Sequence, residues 1–65
     1  MRYEVRLVDR NLGKEDDVIL ATNIKSNAFW AIGRAKKFEN EYPYNEYSAV
    51  AVYDNGLCVA KVNLY

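Results

Sequence analysis

Glu46-Tyr47-Ser48-Ala49-Val50-Ala51-Val52-Tyr53-Asp54-Asn55-Gly56-Leu57-Cys58-Val59-Ala60-Lys61-Val62-Asn63-Leu64 is the stretch that decides the fold. Asp54-Asn55-Gly56 at its centre is the strongest local signal in the chain. Asn-Gly is a preferred pair for a two-residue type I′ turn, because both central positions need φ > 0. A turn there joins two antiparallel strands, Glu46–Tyr53 and Leu57–Leu64. In an unbroken register Asp54 faces Leu57, Tyr53 faces Cys58, Ala51 faces Ala60 and Ala49 faces Val62. Period-two alternation then sorts the hairpin into two faces. One carries Tyr47, Ala49, Ala51, Tyr53, Cys58, Ala60, Val62 and Leu64; the other carries Ser48, Val50, Val52, Val59, Lys61 and Asn63. The alanine-bearing face is the expected seat of a helix, since small side chains allow close approach. On that reading Cys58 is a buried structural thiol. Val50, Val52 and Val59 form an exposed apolar strip, a second candidate interface.

The helix itself is predicted over Ser26–Tyr42. At about 100° per residue, Ala28, Ala31, Ile32, Ala35, Phe38 and Tyr42 share one face. Ser26 is the expected N-cap, with Asn23 as the alternative. Pro43 ends the helix and pushes Tyr42 into extended backbone. Further upstream, Arg2–Val8 alternates, with Tyr3, Val5 and Leu7 on one face and Arg2, Glu4 and Arg6 on the other. A polar segment Asp9–Asp17 follows, with its turn at Asn11-Leu12-Gly13-Lys14. Val18–Ala21, or its extension to Ile24, is a second strand that is apolar on both faces, so its register is open.

The order is therefore β-β-α-β-β, an α+β class domain spanning residues 1–65. Short connections favour a four-stranded, mainly antiparallel sheet of order 2-1-3-4 with one helix on one face. Strands two and four are its edges, and the fourth could pair with another chain.

Composition narrows function by exclusion. At 51% apolar and 28% charged, the chain is an ordinary globular domain. It has no histidine and one cysteine, which rules out an internal disulfide and a conventional structural zinc site. A chain of 65 residues without staples buries only about 60% of its unfolded surface, and such scaffolds often gain stability by associating. A homodimer is expected on this ground. No apolar run reaches the ~20 residues that span a bilayer, so no membrane partner is expected. Met1-Arg2-Tyr3-Glu4-Val5 lacks the apolar core of a signal peptide, which points to a reducing, cytoplasmic setting.

Trp30 is the sharpest functional clue. On the helical wheel it lies opposite the apolar face, beside Arg34, Lys37 and Glu41. Trp and Arg are among the residue types that dominate interface hot spots. Phe29, Trp30, Gly33, Arg34 and Lys37 are therefore the candidate partner-binding patch. Gly33 costs a helix interior about 1 kcal/mol relative to Ala and would leave a dent between the rings. The competing placements put Trp30 over a helix end, under the Asp9–Asp17 loop, or partly in the core of a rotated helix.

Lys25, Arg34, Lys36 and Lys37 around Trp30 could alternatively hold nucleic acid, cations on phosphates and indole on a base. Net charge is zero, whereas dedicated binders are usually basic. Glu15-Asp16-Asp17 lacks the spaced pattern of a cation loop and reads as a solvated or partner-facing negative surface. Tyr42, Tyr44 and Tyr47 around Pro43 are expected to pack against the sheet end. There is no histidine base, glycine-rich phosphate loop or paired carboxylate, so neither catalysis nor a cofactor is expected. The expected function is a small non-enzymatic protein-interaction module. On size, it would be a modulating or inhibitory accessory protein of phage or mobile-element origin.

Overall fold

A computed structural model describes residues 1–13 and 15–65, with the side chains of Glu15 and Asp16 left out of the description. Its elements are β1 (Tyr3–Asp9), β2 (Glu15–Thr22), α1 (Lys25–Lys37), a 3₁₀ turn (Glu39–Glu41), β3 (Tyr47–Asp54) and β4 (Leu57–Asn63). The four strands form one antiparallel sheet in the order β2-β1-β3-β4, and α1 packs on one face of it. Both the β-β-α-β-β layout and the 2-1-3-4 order are those expected from the sequence.

The hairpin turn is also as expected. Asn55 (φ 51°) and Gly56 (φ 84°) both occupy the left-handed region that a type I′ turn demands. Asp54 faces Leu57 and Tyr53 faces Cys58. One step further the register slips: Val52 faces Ala60, leaving Val59 as the extra residue of a β-bulge.

This slip inverts the expected packing. Ala60 and Val62 now oppose Val52 and Val50, while Ala51 and Ala49 oppose Lys61 and Asn63. The reason lies in the parity of the two strands. In an unbroken register, Val50 and Val52 would share a face with Lys61 and Asn63. The helix would then cover either a lysine or the poorer alanine face. One inserted residue brings Val50, Val52, Ala60, Val62 and Leu64 to the same side. Each valine buries two more carbons than alanine, a gain of about 1.5 kcal/mol per site. Val50 and Val52 are accordingly 0% exposed, so the strip Val50, Val52, Val59 is not an exposed interface. Of the three only Val59 reaches solvent, at 52%. Cys58 keeps its place across from Tyr53, but that face carries no helix, and the thiol is exposed rather than buried.

The core under the helix combines Tyr3, Val5 and Leu7 of β1 with Val50, Val52 and Leu64. Ala28, Ala31, Ile32 and Ala35 close it from above, the face read from the helical period. The open face of the sheet has its own small cluster of Val8, Ala49, Ala51 and Tyr53. The Arg6 guanidinium lies 4.7 Å from the centre of the Tyr53 ring, so a long polar side chain covers apolar surface there.

The helix is shorter and starts earlier than predicted. Ile24 is its cap residue and makes no side-chain capping bond, so Ser26 does not cap it. The Asn23 carboxamide oxygen instead accepts the Arg2 backbone N–H at 3.0 Å. Regular helix ends at Lys37, and the chain tightens into the 3₁₀ turn. Phe38 thereby leaves the core face and is 41% exposed, a second departure from the predicted core. Tyr42 is extended (φ −110°, ψ 126°), as a residue before proline should be.

On β2 the pairing jumps from Leu20 to Val18 opposite Val5 and Arg6, leaving Ile19 unpaired in a bulge. Ile19 and Leu20 both reach the helix side as a result. Of the tyrosines near Pro43, Tyr42 and Tyr47 pack against the core as expected, whereas Tyr44 is 64% exposed. Tyr44 meets Tyr65 edge to face at 5.1 Å and has the Arg10 guanidinium 4.6 Å from its centre. The Tyr47 hydroxyl donates to the Asp17 carboxylate. At the opposite end Arg2 donates twice to Asp54, at 2.8 and 3.2 Å. That hydrogen-bonded guanidinium holds the Asp54 carboxyl below its ordinary value.

Candidate functional site

The buried side chains of α1 fall at positions 28, 31, 32 and 35, so one stripe of the helix is spent on the core. Trp30 stands away from that stripe and is 67% exposed. None of the described residues buries it, and the helix is not rotated to bring it into the core.

Phe29, Trp30, Gly33, Arg34, Lys37 and Phe38 line a hollow of about 370 Å³. All five residues of the predicted patch are in this set. Phe38 is the addition. Its position depends on where regular helix stops, because one further turn would have carried it back to the core. No sequence signal marked that stop, since Pro43 lies several residues beyond it.

Gly33 is one of the lining residues. A Cβ placed there would meet nothing within 4 Å. Gly33→Ala is therefore expected to relieve a helix-propensity penalty without a clash. The expected result is a gain of about 0.5–1 kcal/mol and a thermal midpoint raised by several degrees in calorimetry. A lowered midpoint would show that position 33 is packed against something.

A second hollow, of about 300 Å³, lies on the other side of Trp30. Ile19, Leu20, Trp30, Ala31, Arg34 and Tyr42 line it. Trp30 and Arg34 belong to both hollows and, one helical turn apart, form the ridge between them. Ile19, Leu20 and Tyr42 lie outside the patch expected from the sequence. The apolar character of β2 on both faces conceals which residue faces α1, and Tyr42 packs against the core as expected while also lining this hollow.

Among the described residues, the charged side chains that line the hollows are cationic. The Lys25 ammonium lies 5.9 Å from the centre of the Phe29 ring. Arg34 and Lys37 lie 5.0 and 5.5 Å from the centre of the Phe38 ring. Such placements fix cations at the rim of an aromatic wall while leaving their outer sides to solvent. Arg34 also approaches the Glu41 carboxylate, but only to 4.0 Å between exposed side chains. Lys36 behaves differently. Its ammonium donates to the Glu39 carboxylate at 2.7 Å and to the Leu64 carbonyl at 2.9 Å, tying the end of α1 to the residue after β4. Of the four cations in the nucleic-acid alternative, Lys25, Arg34 and Lys37 thus flank the rings and Lys36 is engaged elsewhere.

This arrangement can hold apolar side chains beside a negative charge. Among the described residues no group of three or more His, Cys, Asp or Glu side chains is placed to hold a metal ion. Glu15 and Asp16 side chains lie outside the description, so only Asp17 of the acidic run can be placed. Among the described residues no helix is long and apolar enough to cross a membrane. No protein-family model matches the chain, and no curated protein and no solved structure matches it either.

Proposed function

We propose that the chain is a non-enzymatic protein-interaction domain that binds and modulates another protein through the outer face of α1. One observation carries this reading: Trp30, the sole tryptophan, stands two-thirds exposed on a ridge between two apolar hollows. Exposing a large aromatic forgoes much of the stabilisation its burial would provide, a useful sacrifice only if something covers it. Phe29, Gly33, Arg34, Lys37 and Phe38 complete the surface, with Ile19, Leu20 and Tyr42 across the ridge. The proposed setting is a reducing cytoplasm, because the exposed Cys58 would be prone to cross-linking in an oxidising compartment.

Trp30→Ala should leave the fold intact, since the indole contributes little to the core. Circular dichroism should be unchanged and stability within about 0.5 kcal/mol. Binding should fall by about 2 kcal/mol or more, roughly thirtyfold, as for a central aromatic anchor. Wild type and variant, immobilised side by side, would be compared for the proteins they retain. Light scattering across a wide concentration range would establish the mass of each. Equal retention by both forms would remove the reading. A wild-type dimer that Trp30→Ala dissociates would make the face a self-contact.

A further inference from the structure

The sign of the charge around the two hollows says what kind of segment fits them. Resting on the reading of this face as a protein contact, we infer that its occupant is an acidic segment of a partner protein. Two apolar side chains straddle Trp30, and a carboxylate engages Arg34.

Among the described residues, every charged side chain that lines either hollow is cationic: Arg34 in both and Lys37 in the first. Lys25 adds a third cation beside Phe29. A second copy of the chain is a poor occupant, because a two-fold contact repeats the same patch on both sides and sets Arg34 and Lys37 against their own copies. The nearest internal carboxylate, Glu41, reaches Arg34 only at the limit of an ion pair. A planar guanidinium in that state retains its capacity for a bidentate carboxylate from outside.

The two hollows share one ridge of Trp30 and Arg34, so a single segment can fill both. On a helical segment, side chains three or four residues apart lie about 5–6 Å from each other, a spacing suited to anchors on either side of one indole. Nucleic acid fits less well. With Lys36 committed to Glu39 and Leu64, three cations remain, and the second hollow is walled by the aliphatic chains of Ile19 and Leu20.

The test is a selection of displayed random short peptides on the immobilised domain, counter-selected against Trp30→Ala. Circular dichroism verifies that the variant is folded. Synthetic copies of the selected peptides are then titrated while Trp30 emission is followed in the wild type, a readout that needs no variant. The expected peptides carry net negative charge with at least two apolar residues. They should shift the emission to shorter wavelength and saturate. Arg34→Glu combined with Lys37→Glu should weaken them by about tenfold or more. Peptides of neutral or positive charge that still depend on Trp30 would overturn the acidic occupant and leave the interaction reading standing. No Trp30-dependent peptide and no emission change would overturn both. An oligothymidylate that saturates the emission more tightly, with a steep loss on adding salt, would overturn both in favour of nucleic acid.

Discussion

Val52→Lys is expected to leave the chain unfolded, while Val59→Lys leaves it folded. Val52 is 0% exposed, opposes Val5 on one side and Ala60 on the other, and belongs to the cluster under α1. An ammonium there has no buried carboxylate to meet, because no polar or charged residue is buried among the described residues. Stripping water from an unpaired charge costs several kcal/mol. A domain of this size has about 3–5 kcal/mol of stability in total. The lysine therefore spends all of it. Val59 is the unpaired residue of the bulge and half exposed, so its substitution costs about 0.5 kcal/mol or less. Circular dichroism and thermal melting of the two variants would separate them. A folded Val52→Lys protein with a reduced mass in solution would restore the valine strip as an interface and contradict the bulged register.

Leu64→Ala is expected to cost about 3 kcal/mol although it lies beyond the last residue of β4. Leu64 is the bulkiest of the fully buried side chains and sits within the core under α1. It is fixed from three directions. Its N–H donates to the Ser48 carbonyl at 3.0 Å, its carbonyl accepts from Lys36 at 2.9 Å, and its side chain fills the space beside Val50 and Val62. A backbone held this way collapses poorly into a cavity, which places the cost in the middle of the range for leucine truncation. The urea midpoint should fall sharply with an unchanged slope. Leu57→Ala, at a residue 72% exposed beside the turn, should be near neutral. Equal effects at positions 57 and 64 would show that Leu64 is not the side chain that closes the core.

The topology was legible because its signals are local. Asn55-Gly56 specifies its turn through backbone geometry, and the alternation of Tyr3, Val5 and Leu7 needs no knowledge of what packs on it. The helix face at Ala28, Ala31, Ile32 and Ala35 follows from a single period. The placement of Trp30 followed from the same period, and with it five of the six residues of the first hollow. What failed was parity. The bulge at Val59 arises from a competition between Val50 and Val52 on one strand and Lys61 on the other, a tertiary preference with no local marker. The same holds for Ile19 on β2. Phe38 departs from the expected core face because regular helix stops at Lys37 and tightens into a 3₁₀ turn, well before Pro43. The second hollow was hidden by these failures together, since it exists only where the bulged β2 meets α1 and Tyr42.

The slip at Val59 has a practical use. It leaves the single thiol of the chain, Cys58, on the helix-free side of the sheet, while the single indole, Trp30, stands on the other side. The unaltered sequence thus offers two orthogonal chemical handles separated by the thickness of the domain. A maleimide anchor at Cys58 would tether every molecule in one orientation with the Trp30 ridge turned to solution. A dye at the same atom would form a built-in energy-transfer pair with the indole, so that unfolding could be followed without introducing a residue.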